Sequence, residues 1–256
     1  MYQERIGRVL AAMEQMGLEQ MIVSDPDSIW YLTGYYVFPF ERLFALYLRR
    51  DGKHKLFLNK LFPVPEVPYE QVWFSDTDDY LSILAENVDG TKPMGIDKEW
   101  PARFLLPLMA HNPGSRCVLA SACVDDARAC KDETERELMR AASRINDTVM
   151  ERAAAFMREG MMEREVADFI IAQYAAEGCD AMAFQPIVSF GPHAADPHHE
   201  ADQTRLRAGD CIVIDMGCRK DRYCSDMTRT FFCGQPDPQY AAIHDLVREA
   251  NELAES

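Results

Sequence analysis

The chain has 256 residues, 48% of them apolar, and carries 42 acidic against 27 basic side chains, a formal net charge of −15. That length allows two domains with real cores, while so acidic a field repels phosphate backbones and anionic lipid, so no nucleic acid partner is expected. No apolar stretch reaches the roughly 18–20 residues that cross a bilayer and the amino terminus lacks the basic head and apolar block of a signal peptide, so no membrane partner and a cytoplasmic location are expected.

Ile6, Val9, Leu10 and Met13 recur at helical spacing, and Gly17 supplies a stop. A short apolar strand follows at residues 21–23. Asp25-Pro-Asp-Ser28 reads as a turn ahead of Ile29-Trp-Tyr-Leu-Thr-Gly34. Strands are expected at 44–48 and 55–58, flanking the Asp51-Gly52 hairpin signal, and at 72–74. Leu81, Leu84, Ala85 and Val88 mark a helix, 94–96 a strand, and Pro101 opens a helix carrying Phe104, Leu105 and Leu108. Residues 117–120 are again strand-like. The alternation predicts a mixed α/β domain over residues 1–127.

Residues 132–158 predict a long helix with Leu138, Ala142, Ile145, Val149 and Ala153 on one side and Gly160 at its end. Its start, with Glu133, Glu135 and Glu137 near Arg128 and Lys131, reads as a solvated turn with i,i+4 charge pairs. A second helix covers 163–177 and closes at Gly178. Strands follow at 184–190, 211–216 and 222–233, and Pro238 opens a last helix carrying Ile243, Leu246, Val247 and Leu253. Helices first and antiparallel strands after predict an α+β domain over residues 128–256.

Chemistry concentrates in two places. Asp215 ends an apolar β-type run, and Asp226 lies in the Thr-, Tyr- and Phe-rich run that would pair with it. A hairpin centred between Lys220 and Asp221 sets the two aspartates directly opposite one another. Like charges so placed repel, and a multivalent cation turns the repulsion into attraction. The second place is Gly191-Pro-His-Ala-Ala-Asp-Pro-His198-His199, which holds half of the six histidines. Imidazole there could bind a metal, donate to a developing oxyanion or exchange protons. The aromatic run from Trp30 to Phe38 is core or the lining of a substrate pocket. The eight cysteines show no Cys-x-x-Cys spacing and read as reduced thiols. Those around the aspartates, Cys211, Cys218, Cys224 and Cys233, match no zinc-ligand pattern. Walker, Gly-x-Gly-x-x-Gly, Gly-x-Ser-x-Gly and His-Glu-x-x-His motifs are absent, which removes the sequence basis for nucleotide binding, serine hydrolysis and zincin chemistry.

The segment Ile214-Asp-Met-Gly…Tyr223-Cys-Ser-Asp226-Met-Thr-Arg-Thr230…Gly234 strongly resembles the metal-binding hairpin of the pita-bread metallopeptidases. The Xaa-Pro aminopeptidase and prolidase branch is the nearest in kind. Asp27-Ser-Ile-Trp-Tyr-Leu-Thr-Gly34 resembles that branch's amino-terminal signature. Gly95-Ile-Asp97 and the run from Val124 to Lys131 are similar to its interdomain segment. Glu159-Gly-Met-Met-Glu163 resembles its helix–helix turn, and Ile187-Val-Ser-Phe-Gly191…Pro197-His198 its substrate-side histidine loop.

The resemblance implies an amino-terminal creatinase/prolidase-like α/β domain followed by an α+β pita-bread catalytic domain, with only the first half of the latter present. It implies hydrolysis of Xaa-Pro peptide bonds by an aminopeptidase or dipeptidase. The cofactors would be two divalent metal ions, Mn²⁺ or Co²⁺ and otherwise Zn²⁺, and the partners a proline-containing peptide and a second subunit in a homodimer. Asp215 matches the aspartate that chelates one metal, Asp226 the one that bridges both, and His198 the histidine that contacts substrate. The family's remaining histidine and two glutamate ligands lie downstream of this hairpin. The chain is therefore expected to be part of a longer polypeptide, to be inactive and weak in metal binding by itself, and to expose apolar surface in its second domain. A metal-free creatinase-like amidinohydrolase and a non-catalytic peptide-binding module with this fold are the alternatives.

Overall fold

The computed structural model describes residues 2–63 and 69–256. The chain folds as two compact units that divide between Cys130 and Lys131.

The first unit is built on a six-stranded mixed sheet in the order β4-β3-β2-β1-β5-β6. Its strands are β1 (Gln20–Val23), β2 (Ala45–Arg49), β3 (Lys55–Asn59), β4 (Glu70–Phe74), β5 (Met94–Ile96) and β6 (Cys117–Leu119). Alternate residues of the central strands feed two different cores, as a period-two pleat requires. Met21, Val23, Leu46, Leu48, Leu56 and Leu58 pack on one face with α1 (Tyr2–Gln15), α2 (Pro26–Thr33) and α5 (Ala122–Ala129). Ile22, Ala45, Tyr47 and Phe57 pack on the other with α3 (Tyr80–Asn87) and α4 (Ala102–His111). Burial on both faces explains why these strands read as unbroken apolar runs.

Residues 25–28, expected as a turn, instead open α2. The Asp25 carboxylate accepts from the Asp27 and Ser28 N–H groups, and Pro26 occupies the first turn where no N–H is needed. Gly34, at φ 77°, closes the helix in the left-handed region. These are ordinary start and stop signals, compressed into one short helix.

In the second unit, α6 (Glu133–Phe156) and α7 (Glu163–Ala176) cover a divided sheet. One part runs β12-β9-β8 and the other β11-β10-β7. The strands are β7 (Ala181–Met182), β8 (Ile187–Phe190), β9 (Cys211–Met216), β10 (Cys218–Lys220), β11 (Tyr223–Cys224) and β12 (Met227–Phe232). Ala142, Val149, Ala153, Val166, Ile170 and Tyr174 meet Val188, Phe190, Ile212, Ile214 and Met216 in a single core. The helix start expected to be solvated is only partly so. Glu133 and Glu137 pair with Arg136 and Arg140 at the surface, but Glu135 is buried. It completes a capping box with Asp132 and accepts from the Tyr223 hydroxyl at 2.9 Å. The last helix, α8 (Pro238–Glu255), buries none of its residues, and Ile243, Leu246, Val247 and Leu253 are exposed.

Candidate active site

Asp215 lies on β9, the central strand of its three-stranded sheet. Burial alternates along β9, with Ile212, Ile214 and Met216 turned into the core. Asp215 therefore stands on the opposite face, away from the helices. It pairs with Ile187 of β8 on one side and with Thr228 of β12 on the other.

The Thr228 pairing corrects the expected register. The turn is centred between Asp221 and Arg222, both at positive φ (48° and 68°), and Lys220 pairs with Tyr223 across it. Two consecutive left-handed residues are the signature of a type I′ hairpin, whose twist matches that of its strands. Asp226 is displaced by two positions from direct opposition to Asp215. A two-residue displacement preserves side-chain parity, so both carboxylates still share one face as diagonal neighbours.

Gly217 makes this arrangement possible. A Cβ there would lie 2.2 Å from the Ser225 carbonyl oxygen and 2.9 Å from the Phe184 ring. The backbone between the two parts of the sheet closes to a distance only glycine allows. Behind it, buried Asn146 of α6 donates to the Met216 carbonyl at 3.2 Å and accepts from the Tyr174 hydroxyl at 2.6 Å. These bonds pin the strand end that carries Asp215.

The electrostatics of Asp215 are unusual for a carboxylate. Asp215 accepts from the Thr228 hydroxyl at 2.9 Å. Burial pushes its carboxyl above the ordinary value; the Thr228 bond opposes this, and the Asp226 charge adds to it. A cation between the two would remove that penalty.

Both aspartates line a cleft of about 700 Å³ together with His198, His199, Phe184 and Ile187. His198 is exposed, and its backbone N–H is held by the Asp196 carboxylate at 2.9 Å. The structure thus brings Asp215, Asp226 and His198 around one space.

A further group was not singled out in the sequence. Glu163, the first residue of α7, is fully buried. One of its oxygens accepts from the Phe190 N–H at 2.8 Å and lies 3.0 Å from His193 Nδ1. The other accepts from the Asp202 N–H at 3.1 Å and lies 2.7 Å from His199 Nε2. Glu163 therefore fastens both ends of the loop that carries His198. A carboxylate in the first turn of a helix reads as a dipole partner, and only the histidine density of the facing loop hinted at more.

Residues 137–256 match Metallopeptidase family M24, and residues 5–130 match the Creatinase/Prolidase N-terminal domain. An uncharacterised peptidase of Staphylococcus aureus (strain MSSA476) is 31% identical, with 98% of this chain and 72% of the relative aligned. Recombinant prolidase from Thermococcus sibiricus has the same fold, with a TM-score of 0.89 at 30% identity over 99% of this chain and 71% of that one. A dipeptidase from Pyrococcus horikoshii OT3 gives 0.88 at 30% identity over 97% and 70%.

Proposed function

This chain belongs to metallopeptidase family M24, with a creatinase/prolidase-type amino-terminal domain, and we propose that it serves the hydrolysis of Xaa-Pro peptide bonds at a two-metal site. The observation that carries this reading is the convergence of Asp215, Asp226 and His198 on one cleft. The donor chemistry fits a divalent pair. Two neighbouring carboxylates offer hard oxygen ligands, and the Asp215 carboxyl, raised first by burial and further by the Asp226 charge, is one a cation would stabilise.

Asp215 would hold one ion and Asp226 would bridge both. Such a pair, when bound, supplies a nucleophile from water near neutral pH and polarises the scissile carbonyl. The protein's own side chains do the rest. Thr228 fixes the Asp215 carboxylate through its hydroxyl. His198, which lines the cleft, would donate a hydrogen bond to the oxygen that gains charge as the carbonyl is attacked. Phe184 and Ile187 give the cleft an apolar wall, suited to a proline ring. Two structures that are 30% identical to this chain, a prolidase and a dipeptidase, support this reading.

The test is hydrolysis of Gly-Pro against Gly-Leu by the protein that carries this sequence, with Mn²⁺ or Co²⁺. Cleavage that needs the metal and prefers proline is expected. Activity indifferent to a chelator, or to the residue after the bond, would overturn the reading.

A further inference from the structure

Glu163, His193, His199 and Asp202 each offer one ligand atom, and these four atoms all lie within 4.8 Å of one another. The structure assigns to them, we propose, a second divalent-metal site, separate from the aspartate pair and closing the loop that carries His198. The two sites share no ligand, although His199 also lines the cleft of the aspartates.

Charge comes first. Glu163 is wholly buried and Asp202 stands beside it. A carboxylate buried as Glu163 is requires hydrogen-bond donors or a cation, and the two imidazoles and the Asp202 carboxylate beside it are groups a cation can also hold. A divalent ion among two carboxylates and two neutral imidazoles leaves no net charge.

The imidazole nitrogens lie 3.0 and 2.7 Å from the two Glu163 oxygens, as hydrogen-bond partners of the metal-free site. Two imidazole nitrogens and two carboxylate oxygens form a mixed donor set that suits a divalent transition ion such as Mn²⁺, Co²⁺ or Zn²⁺. The surroundings are those of a supported site. The Phe190 and Asp202 N–H groups hold Glu163, and the Thr204 N–H holds Asp202 at 2.6 Å. The His193 side chain is 34% exposed, which leaves a path for the ion.

A purely hydrogen-bonded clamp is the competing account, and one substitution separates the two. His193→Asn keeps an N–H donor for Glu163 but removes the imidazole ligand. The experiment counts Co²⁺ per chain by equilibrium dialysis in the wild type, in Asp215→Asn/Asp226→Asn, and in that double variant with His193→Asn added. The double variant is expected to retain one Co²⁺, and His193→Asn to weaken its binding at least tenfold with an unchanged metal-free melting temperature. Loss of all Co²⁺ in the double variant, or indifference to His193→Asn, would overturn the proposal. Equal Co²⁺ in wild type and double variant, removed by His193→Asn, would instead uphold this site and sink the paired-aspartate reading.

Discussion

Asp97 of the first unit and Asp215 of the second are both aspartates at the end of a buried strand, and they are treated oppositely. Asp97 accepts hydrogen bonds from the Ser24 N–H, from the Ser24 hydroxyl at 2.7 Å, and from the Asp25 and Glu99 N–H groups at 3.0 and 3.1 Å. Neutral donors of its own unit satisfy it. Asp215 has the Thr228 hydroxyl and, on the same face, a second carboxylate. The first arrangement stabilises the fold, because each bond to a charged group is worth about 1.5–3 kcal/mol. The second costs stability until a cation arrives.

The sharpest way to break this contrast is to neutralise each aspartate. Asp215→Asn should lower Co²⁺ affinity at the aspartate pair by at least about 100-fold, since loss of supporting groups alone costs 10–100-fold. In the active protein, kcat/KM should fall by about 10³ or more, equivalent to about 4 kcal/mol of lost transition-state stabilisation. Its metal-free melting temperature should hold or rise. Asp97→Asn should do the reverse, losing about 1–3 kcal/mol in urea unfolding while metal affinity stays put. Similar stability losses in the two variants would erase the distinction.

Gly217→Ala probes the backbone that sets the second arrangement. Its new methyl group would meet the Ser225 carbonyl, so an overpacking loss of about 1–3 kcal/mol is expected. Metal affinity should weaken with it, because Asp215 and Asp226 flank the displaced ladder. Unchanged affinity would show that the aspartates do not depend on this close approach.

The smallest expected effect concerns thiols. Burial pushes the Cys179 thiol up to about 12, and Cys218 adds to the shift. The native state thus keeps a proton that an unfolded thiol near 9 gives up. This contribution is whole below about pH 9 and is lost as pH rises towards 12. Cys130, in the first unit, is exposed. A disulfide reagent at pH 8 should label Cys130 quickly and Cys179 only after unfolding. Equal labelling rates would show that the second core is looser than its packing.

Much of the fold was legible because each strand is short, apolar and bounded by turn formers. The strands at 21–23, 94–96 and 211–216 stand where alternation and composition place them. α2 was missed because Asp25, Pro26 and Ser28 are turn formers that serve equally as the cap and first turn of a helix. The misplaced hairpin register has a similar cause. Asp221 and Arg222 are not the Asn-Gly or Gly-Gly pair that advertises a type I′ turn. The cluster around Glu163 lay beyond local pattern altogether, since its members come from a helix start and from a loop 30 to 39 residues later.

What the amino-acid order determined alone is the face on which Asp215 stands. Ile212, Ile214 and Met216 must enter the core, and a period of two then sends Asp215 the other way whatever the turn does. What only the tertiary structure decided is which charges meet. Pairing distance, the approach at Gly217 and the convergence of His193 and His199 on Glu163 depend on separately folded segments coming together. Coulomb and hydrogen-bond energies follow distance in space, and sequence separation does not record it.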